Sequence, residues 1–365
     1  MLGKTALLRA RLVGWYARQR RDLPWRVRHD APAGATPDPY YVLVSEAMLQ
    51  QTQVATAIPY FKRFIRRFPT LRALASARPQ EVLRLWQGLG YYSRARRLLH
   101  AAQTVVRDLG GRIPSEVEQL LKLPGIGRYT AGAIASLAFD RRAPTLDGNV
   151  TRVLCRLDAV KADPHRPAIR QLLWRRAEEI LPQKRIGDFN SALMELGATV
   201  CTPRRPACSL CPIRAHCQAS HAGIQHRIPP ARRLKPRAVE RRWILCIRRR
   251  NRWLIEQRPP DGRWPSMWQF PTLRADDAAP TATHIQAYTG LAVTGLRLIG
   301  TVAHSLTHRR YQFDAFFCRA AATSHSLKPA NARAWIRPDQ LSDYPLSKPQ
   351  LTTARMLREI AGRSQ

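Results

Sequence analysis

A mostly helical N-terminal domain followed by a smaller α+β domain is the fold class this sequence predicts, on three observations. Apolar residues recur at three- and four-residue intervals up to about residue 200, and at every second residue beyond residue 239. The chain has 365 residues, more than one ordinary domain holds. Between the two patterns, at 219–238, lies a stretch with Pro229, Pro230 and Pro236 and no clear period. The expected organisation is a helical domain over 1–218, a linker over 219–238 and a mixed domain over 239–365.

The elements follow in order. Leu8, Leu12, Trp15 and Tyr16 keep helical spacing into a DLPWR segment. Lys4, Arg9, Arg11, Arg18, Arg20 and Arg21 make this stretch Arg-rich like a transit peptide, but its continuity with folded-domain sequence argues for a resident helix. Ala31 to Pro39, rich in Pro, Ala and Gly, is a loop. Val42 to Phe68 and Ala73 to Val106 carry helical periodicity, punctuated by Pro69, Pro79, Pro114 and Pro124. Next comes Leu123-Pro124-Gly125-Ile126-Gly127-Arg128-Tyr129-Thr130, where two glycines allow a tight hairpin ahead of a helix over 130–138. The free amides and positive dipole end of such a helix suit a phosphate, although Gly-x-Gly alone is a weak signal. Beyond the linker, Trp243, Leu245 and Ile247 alternate with Ile244 and Cys246. Trp253 to Glu256 and Tyr311 to Cys318 are strand-like, and a helix is expected from His284.

Composition narrows the function. Lys and Arg number 61 against 25 acids, giving a net charge of +36 and a pI near 11.4, so a polyanion is the expected partner. Residues 227–263 alone hold 13 Arg or Lys and three acids (Glu240, Glu256 and Asp261), a cluster suited to a phosphate backbone. Hydrophobic residues make up 45%, enough to exclude wholesale disorder. The longest apolar run, Ala131 to Phe139, is far below the roughly 20 residues a bilayer span needs. Seven cysteines, an odd number, argue against a disulfide framework and for a reducing compartment.

Three groups carry chemistry. Cys201, Cys208, Cys211 and Cys217 have the spacing C-x6-C-x2-C-x5-C, suited to tetrahedral zinc or to an iron–sulfur cluster. Glu46, in Ser45-Glu46-Ala47-Met48-Leu49-Gln50-Gln51-Thr52, reads as an acid in an otherwise apolar helix start, or as a first-turn residue behind a Ser45 cap. Asp147, 18 residues past Tyr129, sits on a turn before a helix starting near Val150, where it reads equally as an N-cap.

The ordered set DLPWR, PYYVLVSEAMLQQTQV, GLGYYSRARRLLHAAQ, LPGIGRYTAGAIASLA, LDGNVTRVLCR and CTPRRPACSLCPIRAHC resembles the adenine DNA glycosylases of the MutY family from about Val13 to Cys217. The C-terminal region resembles that family's nudix-like domain. The resemblance implies a helix-hairpin-helix glycosylase domain with a [4Fe–4S] loop. It also implies removal of adenine mispaired with 8-oxoguanine or guanine in double-stranded DNA, by a monomer working in base excision repair. By the same likeness Glu46 is the general acid at adenine N7, Asp147 stabilises the positive sugar, and Asn149 and Tyr129 orient the pair. Leu23, Trp25 and Arg26 match the adenine pocket. Gln51 and Tyr91 match positions that intrude beside the orphan base, and Gly125, Gly127 and Arg128 grip the backbone. The four cysteines would hold the cluster, with Arg204, Arg205 and Arg214 on its basic loop. The endonuclease III relatives have a lysine where Tyr129 stands, and tyrosine forms no Schiff base, so a monofunctional enzyme is implied. A bacterial-type cytoplasmic, nucleoid-associated location is expected.

Four departures are visible. Ser191 follows Phe189-Asn190 where the family usually has Gln or Glu touching adenine. The family's Phe-Ser-His loop, which reads the oxidised guanine, is here Leu306-Thr307-His308. The loop from Arg28 to Asp38 is longer than usual. Between Ala275 and Leu296 the only acids are Asp276 and Asp277, which disfavours nudix phosphohydrolase activity. A lesion sensor without catalysis would lack one carboxylate, and both are present.

Overall fold

The computed structural model describes residues 2–28, 30–32, 34–231, 238–275, 278–306, 309–322, 327 and 332–362. The chain packs as two compact units, Met1–Ser76 with Arg97–Leu234, and Ala77–Arg96 with Lys235–Gln365. The helices of the N-terminal region are α1 (Leu2–Gln19), α2 (Pro39–Leu49), α3 (Val54–Arg67), α4 (Leu71–Ala75), α5 (Pro79–Trp86) and α6 (Ser93–Asp108). They continue as α7 (Val117–Leu120), α8 (Arg128–Phe139), α9 (Gly148–Leu157), α10 (Pro167–Glu179), α11 (Ile186–Thr199) and α12 (Gln218–His221).

In the first unit, α1, α9, α10 and α11 bury Leu12, Val150, Leu154, Leu173, Phe189 and Leu193 against one another. Each such large apolar side chain stabilises the fold by roughly 1.5–3 kcal/mol relative to exposure. Helix α8 runs through the middle and is buried from Thr130 to Ser136. Small residues make that possible: a Cβ on Gly132 would lie 2.2 Å from the Pro144 carbonyl oxygen, so only glycine lets the strap ahead of α9 press onto α8.

The apolar run from Val42 to Phe68 is two helices, broken at Gln50–Gln53, where Gln51 takes a φ of +59°. One expectation is corrected. Helix α2 begins at Pro39, with Asp38 accepting the Tyr40 amide at 2.8 Å, so Glu46 lies in its last turn and not at a helix start. Ser45 caps nothing; its hydroxyl donates to the Val42 carbonyl at 3.0 Å.

The second unit is built on a seven-stranded sheet. Its strands are β1 (Val239–Arg249), β2 (Arg252–Gln257), β3 (Trp268–Gln269), β4 (Thr272–Arg274), β5 (Val293–Ser305), β6 (Arg310–Ala320) and β7 (Arg333–Ile336). The order is β3-β2-β1-β6-β5, with β4 on β1 and β7 on β2. Strands β1 and β6 pair in parallel from Val239↔Arg310 to Arg248↔Arg319, and the other pairs are antiparallel. The alternation read along β1 divides two cores. Trp243, Leu245 and Ile247 pack with Ile285 of α13 (Ala282–Thr289). Ile244 and Cys246 pack with Ala354 and Leu357 of α14 (Lys348–Gly362). The residues 77–96, which the sequence groups with the helical region, are tied to this unit. Gln80 Nε2 donates to the Ser266 carbonyl at 3.1 Å, and Arg96 Nη1 to that of Pro260 at 2.8 Å.

Candidate active site

A cavity of about 2310 Å³ opens in the first unit. It exceeds the roughly 300–1,000 Å³ of ordinary small-ligand pockets and has room for an extended polymer with a group turned inward. Leu23, Trp25, Arg26, Glu46, Gln51, Tyr129, Asp147, Asn149 and Ser191 all line it, so the expected catalytic and adenine-pocket residues converge. The longer loop contributes wall, through Arg28, Ala31, Pro32, Gly34, Ala35, Thr36 and Pro37.

Helix α2 is apolar on nearly every side, and its burial carries Glu46 inward to 5% exposure. Its Oε2 has no hydrogen-bond partner among the described residues. Burial pushes the carboxyl up to about 7; the hydrogen bond from Tyr129 and the charge of Arg26 pull it down, and the charge of Asp147 adds to the rise. The Tyr129 phenol also stands 3.5 Å from Met194 Sδ, and burial first, then the two carboxylates, holds it well above its ordinary range.

Asp147 performs the capping role its position allows. Its Oδ1 accepts the Val150 amide at 2.6 Å at the start of α9, and its Oδ2 accepts Asn149 Nδ2 at 3.0 Å. Burial raises this carboxyl too, while these hydrogen bonds and the charge of Arg152 favour the anion. Thus two carboxyl groups meet one cavity in unlike surroundings, one with an oxygen left bare and the other held at both oxygens. Such a pair can donate a proton from one side and stabilise positive charge from the other.

Two arrangements were missed by sequence reading. Glu195, one turn beyond Ser191 on α11, is buried and accepts from Arg21 Nε at 2.7 Å and from Arg26 Nη2 at 2.8 Å. Burial would raise it, but the hydrogen bonds and charges of the two arginines hold it below the usual carboxylate range. An acid inside the apolar run SALMELGA is the signal that could have found it. The second is Arg152, whose Nη2 donates to Asn149 Oδ1 at 2.8 Å and the Gly197 carbonyl at 2.6 Å, and whose Nε donates to the Cys201 carbonyl at 2.7 Å. It ties the Asp147 turn to the cysteine loop.

The cysteines carry no disulfide. Burial pushes the Cys211 thiol up to about 12, and Cys201, Cys217 and Cys208 stand near enough to raise it further. Four thiolates gathered in this way repel unless a cationic group lies among them. Four cysteine ligands close together in the chain would hold an iron–sulfur cluster here. Arg156, buried, lies 3.3 Å from Cys201 Sγ and donates to the Thr202, Pro203 and Ile228 carbonyls, a cationic clamp that fits an anionic thiolate cluster.

The remaining expected residues lie elsewhere. Gly125 takes a φ of +78° in the hairpin, Gly127 is the N-cap of α8, and Arg128 stacks over Trp174 at 4.1 Å. Tyr91 belongs to the second unit, 46% exposed at a φ of +49°. Leu306 donates its amide to the Arg309 carbonyl at 2.8 Å between β5 and β6, whereas Thr307 and His308 lie outside the described residues.

Residues 44–179 match the HhH-GPD superfamily of base excision DNA repair proteins. Residues 201–217 match the iron-sulfur binding domain of endonuclease III, and 242–354 the NUDIX domain. The chain is 36% identical to the adenine DNA glycosylase of Mus musculus over 96% of its own length and 78% of that protein's. It is 36% identical to that of Homo sapiens, over 93% and 72%. Among solved structures, a thermostable thymine-DNA glycosylase superposes with a TM-score of 0.52 at 28% identity, covering 60% of this chain and 98% of that one.

Proposed function

The chain belongs to the adenine DNA glycosylases, and on that premise we propose that it excises adenine opposite 8-oxoguanine, and opposite guanine, by hydrolysis alone. The enzyme is an N-glycosyl hydrolase of base excision repair that carries an iron–sulfur cluster. The observation that supports the finer reading is the pair of carboxyl groups, Glu46 with its Oε2 unpartnered among the described residues and raised to about 7, Asp147 held at both oxygens.

Adenine leaves the stack and enters the cavity at a cost of a few kcal/mol in lost stacking and pairing. Glu46, protonated near neutral pH, donates to N7 and turns the base into a neutral leaving group. Positive charge grows on the sugar, and Asp147, whose anion the Val150 amide and Asn149 favour, stabilises it. The Glu46 carboxylate then accepts the proton of the attacking water. Arg26, fixed by Glu195, lines the same cavity as the short Ser191 and is assigned the base edge that Ser191 does not reach. Cys201, Cys208, Cys211 and Cys217 would hold the cluster, which would supply a rigid frame to the basic 201–217 loop that meets DNA. Tyr129 offers no amine to the sugar, so the strand stays intact. Reading of the oxidised guanine is assigned to Leu306, Thr307 and His308, and the working form to a monomer.

Single-turnover adenine release from duplexes holding adenine opposite 8-oxoguanine or guanine, with strand breakage scored before and after hot alkali, tests this. Faster release opposite 8-oxoguanine and breakage only after alkali are expected. Breakage without alkali would overturn the monofunctional reading, and equal rates the lesion preference.

A further inference from the structure

Among the described residues, one methionine lines the cavity of the first unit. Ser191, Met194, Glu195 and Ala198 recur at i, i+3, i+4 and i+7 along α11, so one face of that helix borders the space. Met194 is partly buried there and packs against the surrounding core. The other described methionines are placed differently. Met48 and Met267 are fully buried. Met356, on α14 of the second unit, lies over Gly300, its Sδ 3.2 Å from where a Cβ would stand. Met194 is therefore the described thioether that a small solute entering the cavity meets.

Its sulfur also has a chemical neighbour. The Tyr129 hydroxyl donates to Met194 Sδ at 3.5 Å, and the same hydroxyl is a hydrogen-bond donor to Glu46. A phenol has one proton to give, so the sulfur and the carboxyl compete for it. The thioether is the weaker acceptor, which leaves the hydroxyl to Glu46. A sulfoxide changes that order, because it puts a polar, accepting oxygen on a side chain that was apolar. The added oxygen also takes room beside Ser191 and Glu195, on the cavity face of α11.

We infer that Met194 is a site of oxidation by small hydroperoxides, and that its sulfoxide slows adenine release by drawing the Tyr129 hydroxyl from Glu46. The sulfur lone pair attacks one peroxide oxygen, and the S–O bond forms as the O–O bond breaks. Sulfur gives up two electrons. The departing hydroxide takes the proton left on the transferred oxygen, so one hydrogen peroxide yields one sulfoxide and one water. Hydrogen peroxide is uncharged and little larger than water, so neither the arginines nor the width of the cavity bars it. Reduction by a methionine sulfoxide reductase returns the thioether. The oxidation is independent of the adenine-excision reading, and its effect on rate rests on that reading.

Hydrogen peroxide treatment of the full-length, cluster-loaded protein, with a chelator to remove free iron, tests it. Peptide mass spectrometry and single-turnover adenine release are read on the same samples, and only samples whose cluster absorbance is unchanged are compared. One added oxygen at Met194 is expected, with release slowed about tenfold or more and restored by methionine sulfoxide reductase. Met194→Leu, measured against its own untreated rate, should keep that rate under the same treatment. Where thermal melting shows that this variant does not fold, restoration by the reductase decides. Four outcomes would overturn the inference. They are Met194 left unmodified at a dose that converts free methionine, a full rate from the sulfoxide form, a loss the reductase does not restore, and equal slowing in folded Met194→Leu. No release from untreated enzyme would instead sink the excision reading, and the mass of the Met194 peptide still decides the oxidation.

Discussion

At Glu46 burial sets stability and chemistry against each other. The folded carboxyl titrates near 7 where the ordinary value is 4.5, so the folded state keeps its proton to higher pH than the unfolded chain does. The stability this contributes is fully present below about pH 4.5 and lost as pH rises through 7, an effect of about 3 kcal/mol from the shift itself. Glu46→Gln should therefore raise the melting temperature much more at pH 8 than at pH 5, while abolishing base release and leaving duplex binding intact. An equal gain at both pH values, or release that persists, would show that the group is neither buried as a charge nor the acid. In the unmodified enzyme, release should fall about tenfold per pH unit above 7, because only the protonated carboxyl can donate.

Helices α8, α9 and α11 turn this pair of residues into a geometry. Gly197 of α11 faces Asn149, and a Cβ there would come within 2.7 Å of the Asn149 Cβ. Gly197→Ala should push Asn149 away from Asp147 and slow release by about tenfold or more, with a loss of roughly 1–3 kcal/mol in stability from overpacking. A wild-type single-turnover rate in the variant would remove the α9–α11 contact from catalysis. At this scale the sequence is only partly legible. Glu46, Asp147 and Tyr129 stand in short motifs whose spacing survives translation into helices, and the cysteines announce themselves by proximity in the chain. Glu195 and Arg152 act through partners 169 to 174 and 45 to 49 positions away, so no local pattern reveals them. The misreading of Glu46 as a first-turn residue has the same root. Tyr40 to Val44 is apolar enough to hide where α2 begins, and the decisive signal, Asp38 before Pro39, lay in a loop-like stretch.

Over the whole molecule, the surplus of 36 positive charges sets the terms of DNA binding. If duplex association neutralises at least about six phosphates, affinity should drop roughly 10³-fold between 50 and 200 mM salt, with a log–log slope near −0.9 per phosphate. A slope shallower than about −2 would mean that the charge serves another purpose. The change of period at residue 239 coincides with the start of β1 at Val239. The allegiance of residues 77–96 was not readable, since α5 has an ordinary amphipathic pattern and reveals its partners only through bonds such as Gln80 to Ser266.

The cap that Asp147 provides for α9 bears on how such an enzyme can fail over generations. Loss of this side chain removes the charge and also unties the first turn of a helix that anchors the core, at a cost of about 0.5–2 kcal/mol. Loss of Glu46 removes only the acid and relieves a buried charge, leaving a chain that folds better than its ancestor and still holds DNA. Silent inactivation in a lineage therefore has an easier route through position 46 than through 147, and a non-catalytic descendant is expected to retain the aspartate.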